Sequence, residues 1–336
     1  MRDILSKHLT RALQVGAVFA IALGLSSSVY AATSATPNNA TQSGNNGLQI
    51  SPTRTDLAVD PGNSTSFQIS LKNISSIALN AKVALNDFES DNQTGVPKLI
   101  INPNQHSVHS IKPYLSGLSD LPLQPGQTKE IQLTVSVPAG APPGGYYGAI
   151  RYSAIPVTPA ENTGPNRISL TASVASLVLL EINGQVNESL TFDSMNALRH
   201  GTAQAIFFGA GPDHVAIRLT NKGNGFSQPI GHVVINKGGK TVYNYEFNST
   251  ASGLHSTILP QSSRTFTNPI KNVSAFGQYT IQASIAYKQG DSAITLTQKF
   301  WVIPSSMLYV LLIIVIIIVA GFILWRVATR RAKGRK

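Results

Sequence analysis

The chain has 336 residues, of which 12% are charged and 42% hydrophobic, a balance that excludes a charge-rich disordered protein. It contains no cysteine, which rules out disulfides, zinc-thiolate sites and cysteine nucleophiles, so its cores must hold by ordinary burial. The net charge of +11 sits mostly at the two ends: setting aside nine bases and one acid there leaves 17 bases against 14 acids, and no nucleic-acid partner is implied.

Arg2, Lys7 and Arg11 precede an apolar stretch over 12–25, and Val29 and Ala31 supply small side chains suited to cleavage after Ala31. Residues 1–31 therefore read as an export signal. Residues 32–47, rich in Thr, Ser, Asn and Gly with no apolar periodicity, read as a flexible leader.

From residue 48 the pattern turns to β. Phe67, Ile69 and Leu71 alternate with Gln68, Ser70 and Lys72, and Ile131, Leu133, Val135 and Val137 alternate with polar neighbours. Period-two burial predicts half-buried antiparallel strands. Pro61-Gly62 and Pro125-Gly126 stand just ahead of these runs, where proline presets φ and glycine accepts a positive φ. Between them, 87–120 is long and holds Pro97, Pro103 and Pro113, which marks it as a protruding segment. Asn92, Asn102, Asn104, His106, His109 and Tyr114 form a candidate recognition loop there, offering directional hydrogen bonds and a stacking surface. In the strand that follows, Tyr146 and Tyr152 share one face, and Tyr147 points to the other, where it could meet a glycan or protein partner.

The first domain is thus expected over 48–156, a Pro, Thr and Asn-rich linker over 157–164, and a second β-rich domain over 165–303 that opens with a strand over 169–180. The fold class is all-β, two tandem Ig-like β-sandwich domains followed by one transmembrane helix. That helix is placed at 305–325, an uncharged run from Met307 to Trp325 long enough to span a bilayer. Six bases and no acid fill the tail at 326–336, which favours the cytoplasmic side. The expected location is the plasma membrane, single-pass, with the large N-terminal portion extracellular and membrane lipid contacted through the helix.

No nucleophile elbow, metal-binding His-Glu-x-x-His or phosphate-binding loop occurs, and no cofactor is implied. Asp87, Glu89, Asp91 and Asn92 are hard oxygen donors suited in type to calcium, but their order does not match an EF-hand, and an ordinary solvated loop is the simpler account. Asp213-His214 stands at a strand entrance, where turn duty explains it without catalysis. Seven Asn-x-Ser/Thr motifs occur, at Asn39, Asn63, Asn73, Asn92, Asn187, Asn248 and Asn272.

The Pro61-Gly62 turn before a strand ending at Asn73, the Pro125-Gly126-Gln127-Thr128 turn before the strand reaching Val137-Pro138, and the run Gly144-Gly145-Tyr146-Tyr147-Gly148-Ala149-Ile150 together resemble the N-terminal domain of the bacterial WxL-interacting cell-surface proteins. The resemblance covers 48–156 and is weaker over 165–303. It implies peptidoglycan contact by the first domain and binding of another surface protein by the second. The resulting expectation is a non-enzymatic, membrane-anchored binding protein whose partner is a cell-wall polymer or a surface protein. An envelope scaffold without a dedicated glycan site is the alternative, and an exported hydrolase stands behind both.

Overall fold

The computed structural model describes residues 47–102, 104–157, 172–249, 255–288 and 290–333. The expected export signal, the leader up to residue 46, nearly all of the expected linker and residues 334–336 of the basic tail lie outside them.

Ten strands build the first sandwich: β1 (Leu48–Ser51), β2 (Arg54–Val59), β3 (Ser64–Asn73), β4 (Leu79–Ser90), β5 (Pro97–Ile100), β6 (Leu115–Ser116), β7 (Leu121–Leu123), β8 (Thr128–Ser136), β9 (Gly144–Pro156) and β10 (Ser173–Ile182). One sheet has the order β1-β3-β8-β6, and the facing sheet β2-β10-β9-β4-β5 with β7 beside β4. The alternating runs land as expected: Ile69 and Leu71 of β3 and Leu133 and Val135 of β8 are fully buried between the sheets. Gly62 and Gly126 adopt φ of +88° and +71°, the conformation their Pro-Gly turns require.

Nine strands build the second: β11 (Leu190–Arg199), β12 (Thr202–Ala203), β13 (Ile206–Gly209), β14 (His214–Asn221), β15 (Ile230–Lys237), β16 (Lys240–Phe247), β17 (Ser262–Pro269), β18 (Gly277–Ala286) and β19 (Ile294–Pro304). Its sheets run β12-β11-β14-β17 and β13-β19-β18-β15-β16. The two sandwiches repeat one plan. β1, β3 and β8 correspond in order to β11, β14 and β17, and β2-β10-β9-β4-β5 corresponds to β13-β19-β18-β15-β16. In each, a short strand near the start crosses to the other sheet and pairs parallel with the sandwich's last strand: β2 directly after β1, and β13 after the β11–β12 hairpin.

The repeat extends to one side chain. Asn73 ends β3 and Asn221 ends β14, and both are fully buried. The Asn73 amide donates to the carbonyls of Ile77, Leu123 and Gln124 at 2.8–3.2 Å, and its oxygen accepts the Ser75 N–H and hydroxyl. Asn221 donates to Gly225 and Ile258 and accepts the Gly223 N–H. Each satisfies loop backbone groups that burial would otherwise leave unpaired.

The domain boundary differs from the expectation. β10 lies inside the range assigned to the second domain, yet it pairs antiparallel with β9 along its whole length and parallel with β2. Residues 158–171 therefore join two neighbouring strands of one sheet, and the chain passes to the second sandwich between Ile182 and Leu190. β10 is apolar on both faces, because Val178, Leu180 and Ile182 enter the first core while Leu179 faces outward onto the second sandwich. A strand without alternation carries no mark of which core it belongs to.

β19 passes straight into helix α1 (Ser305–Lys333) with no intervening loop. Its apolar stretch Ser305–Arg326 holds 22 residues, none buried against the sandwiches, and at about 1.5 Å per residue matches the roughly 30 Å of bilayer hydrocarbon.

The assignment of β10 is directly testable. The three β10 side chains buried in the first core, Val178, Leu180 and Ile182, at about 1.5–3 kcal/mol each amount to much of the roughly 5–15 kcal/mol that keeps a domain folded. A fragment spanning 47–157 should therefore stay unfolded, while 47–184 gives dispersed amide NMR signals. Dispersed signals from the shorter fragment would return β10 to the second domain.

Candidate functional site

The 87–120 segment leaves the end of β4, and one buried carboxylate organises its base. Asp87 continues the inward parity of Leu79, Ala81, Val83 and Leu85 and is fully buried. It accepts the Ser110 hydroxyl at 2.6 Å, the Lys112 ammonium at 2.9 Å and the Ser107 N–H at 3.4 Å. Burial alone would push the Asp87 carboxyl upward, but these donors and the Lys112 charge outweigh it and hold the group below the ordinary carboxylate range. Backbone bonds from Tyr147 N–H to His109 and from Ile111 N–H to Tyr147 fasten the same stretch to β9.

The structure divides the six expected recognition residues into three places. His109 and Tyr114 belong to the base. The His109 ring stacks on Tyr147 with centroids 5.9 Å apart, and its Nδ1–H donates to the Gly145 carbonyl at 2.9 Å. Burial lowers the His109 pKa and so favours the neutral ring. Tyr114 packs edge-on to Tyr146 at 5.0 Å. Asn102, Asn104 and His106 lie at the exposed tip, where the Asn102 side chain accepts the Asn104 N–H in a local turn. His106 stands 3.9 Å from the Asp87 carboxylate. Beside them the tip exposes Ile101 at 71% and Val108 at 89%, apolar residues that the sequence did not single out.

Asn92 is not part of this tip. It sits in the β4–β5 turn with φ of +55° and docks on the second sandwich: its carbonyl accepts Arg218 Nη1 at 2.8 Å and its side-chain oxygen accepts the Ser263 N–H at 3.0 Å. Tyr147 likewise faces no solvent. It is buried with Phe88, Ala149, Leu179 and Leu259 in an apolar cluster joining the sandwiches, with Phe226 at its edge. The outer face of β9, which could have met a partner, is occupied by the protein itself.

At the margin of this junction a cleft of about 220 Å³ opens between β2, β10 and the second sandwich, lined by Arg54, Asp56, Glu181, Phe226 and Lys288 among others. Its basic side chains are paired. Arg54 makes two 2.6 Å bonds to Asp56 and reaches Thr257 Oγ1 at 2.7 Å, while Lys288 donates to Glu188. Desolvation raises the pKa of Glu181 against the opposing pull of Lys288. Among the described residues β2 has β10 as its one paired neighbour, so its other edge remains open beside the cleft.

The oxygens considered for calcium point to different tasks. Asp87 is closed within the loop base, and Glu89 pairs with Lys98 at 3.2 Å across the β4–β5 hairpin. Asp91 caps the turn by accepting the Thr94 hydroxyl and the N–H groups of Gln93, Thr94 and Gly95, with Thr94 the foremost of the donors that depress its pKa. Among the described residues no group of three or more His, Cys, Asp or Glu side chains gathers as a metal site. Asp213 bonds His214 Nδ1 at 2.9 Å, but its other oxygen takes the His200 N–H, so it closes the end of the β11–β14 pair.

No protein-family model and no curated protein matches the chain. Solved structures with similar architecture include a chain from a chaperone–tip adhesin complex of CFA/I fimbriae biogenesis, 16% identical over 75% of this chain and 98% of that one, with a TM-score of 0.38. The class 5 fimbrial chaperone CfaA is 16% identical over 76% of this chain and 99% of its own, with a TM-score of 0.37. A chain of the CsuC–CsuE pre-assembly complex from Acinetobacter baumannii is 12% identical over 74% and 97%, with a TM-score of 0.36. At this level of similarity none assigns a partner or an activity to this chain.

Asp87→Asn should keep the shape of the loop base and lose its charge, costing about 2 kcal/mol, in the range of a hydrogen bond to a charged group. Because the folded pKa is depressed, the native contribution is complete above the unfolded carboxylate pKa of about 4 and is lost as pH falls through the lower folded value. Urea melts at neutral and acid pH check both points: the difference between native protein and variant should shrink at low pH, and a constant difference would reject the charge-based account.

Proposed function

We propose that this chain is a non-enzymatic, membrane-anchored binding protein of a cell envelope, with the tip of the 101–109 loop as its contact surface for cell-wall peptidoglycan or another surface protein. The observation that carries this reading is the contrast between base and tip. The base is held by Asp87 through Ser107, Ser110 and Lys112, while Ile101, Asn102, Asn104, His106 and Val108 project into solvent. A loop whose base is already held loses less conformational entropy when a partner arrives, so modest contacts suffice. Amides and an imidazole suit the hydroxyl and acetamido groups of a glycan or a peptide backbone, and the two aliphatic side chains supply apolar area. The resemblance of 48–156 to the WxL-interacting proteins agrees with this choice of partners.

The helix and tail support the anchoring half of the proposal. α1 has the length and composition of a span, and the bases after Trp325 favour the cytoplasmic side, which leaves both sandwiches outside. The side chains assembled at the loop base and at the Asp213–His214 pair serve structural bonds, and a binding role accounts for them without turnover.

The test alters the tip and spares the base. Replacing Asn102, Asn104 and His106 with alanine and Val108 with serine should leave thermal melting unchanged and weaken capture by purified peptidoglycan or by an envelope protein roughly tenfold, equivalent to about 1.4 kcal/mol. Undiminished capture at matched concentration would remove the loop as the contact surface. No specific capture by the native protein would favour an envelope scaffold instead.

A further inference from the structure

The end of the second sandwich that receives the helix differs from the rest of its surface. β13 runs parallel to the last residues of β19, with Ile206 opposite Trp301 and Phe208 opposite Ile303. Their neighbours Phe207, Phe300 and Val302 point into the core, so Ile206, Phe208 and Trp301 point out. The Phe276 ring lies 6.3 Å from that of Trp301, and these four side chains are between 40% and 57% exposed. Single exposed apolar residues are ordinary, whereas a contiguous patch containing three aromatics is the kind of surface that marks an interaction site.

Charge collects at the same end. The β15–β16 turn carries Lys237 and Lys240, and the register places Lys237 opposite Tyr279, which pairs in turn with Phe300 near the end of β19. Lys271 follows the end of β17, and Arg199 closes β11, donating to the Phe208 and Ala210 carbonyls. Among the described residues at this end the acid is Asp213, which is bonded to His200 and His214.

Position selects the occupant. Phe208 stands opposite Ile303, two residues before Ser305 and so about 7 Å from the helix start along the strand, and Trp301 stands about 13 Å from it, within the headgroup layer once the sandwich leans toward this face. The headgroup layer on one side of a bilayer is about 5–8 Å deep. Aromatic rings with a polar edge and basic side chains are the groups that partition to this layer, basic ones more strongly when the lipids are anionic. We propose that the helix-proximal end of the second sandwich is a lipid-docking surface, with Phe208, Phe276 and Trp301 inserted among the headgroups of an anionic bilayer and Lys237, Lys240 and Lys271 set over their phosphates. This rests on the reading of α1 as a membrane span. Docking fixes the tilt of both sandwiches, which the single Pro304–Ser305 junction alone would leave free to swing.

The chain's two tryptophans, Trp301 and Trp325, allow the docking and the span to be tested apart. Full-length Trp325→Phe and Trp301→Phe variants are each placed in lipid nanodiscs of phosphatidylcholine with or without phosphatidylglycerol, using lipids brominated near the headgroup end of the acyl chains as quenchers. The expected result is loss of Trp301 emission to the brominated lipid, greater with phosphatidylglycerol, and removal of that increment when Lys237, Lys240 and Lys271 are all changed to Gln. Trp301 unaffected by brominated lipid while Trp325 is quenched would overturn the docking and leave the span standing. Neither residue quenched would overturn both. Equal quenching of Trp301 with and without phosphatidylglycerol would overturn the anionic surface.

Discussion

The structure depends on one sheet being covered on both sides. The inner face of β2-β10-β9-β4-β5 supplies Tyr152, Ile150, Val178, Leu180 and Ile182 to the first core, and its outer face supplies Tyr147, Ala149, Phe88 and Leu179 to the junction with the second sandwich. An antiparallel sheet with one wet face would leave the sandwiches to move on a hinge. Here they are joined by an apolar cluster and ringed with directional bonds: Asn224 O accepts the Gly145 N–H at 2.7 Å, its side-chain amide donates to Pro143 at 3.1 Å, and the Thr265 N–H reaches Gln93 at 2.6 Å. The glycine at 145 belongs to this fit, since an added Cβ would press on the Phe226 ring and Pro260 at 3.0–3.1 Å.

That closure determines where a partner can bind. With the β9 outer face occupied, the first sandwich keeps as polar surface the outer face of β1-β3-β8, the rim around the Asp87-anchored loop and the open edge of β2 beside the cleft. Asp87 and Tyr147 tie the loop to the junction, because the Ser107 to Ile111 stretch that Asp87 holds is the same stretch that hydrogen-bonds the Tyr147 backbone.

The all-β class, the strand pattern around Ile69 and Leu133, the Pro-Gly turns and the apolar helix were legible in the sequence, because half-buried strands and uncharged spans write their environment directly into residue order. β10 was not, since burial on both faces erases alternation, and the Pro, Thr and Asn-rich stretch before it has the composition of an interdomain linker although the strands on either side of it pair in one sheet. Asn92 and Tyr147 have the composition of recognition residues and the positions of interface residues, a distinction carried by contacts with Arg218, Ser263 and Leu259 more than a hundred residues away. Asp87 left one local sign: a carboxylate on the apolar parity of β4 must find partners inside the protein. Nothing local marked the cluster of Phe208, Phe276 and Trp301, which sequence separates and β13 reunites.

The late position of β10 in its sandwich also sets an order of assembly. As the chain emerges from its N-terminus, β1 to β9 are complete before β10 is made, and the sheet stays open between β2 and β9 until it arrives. Even then Tyr147, Ala149 and Leu179 have no cover until Phe226 and Leu259 have followed. The nascent first sandwich thus carries an uncovered apolar sheet face through the synthesis of half its neighbour. Premature release within that window would leave a species prone to pair with copies of itself.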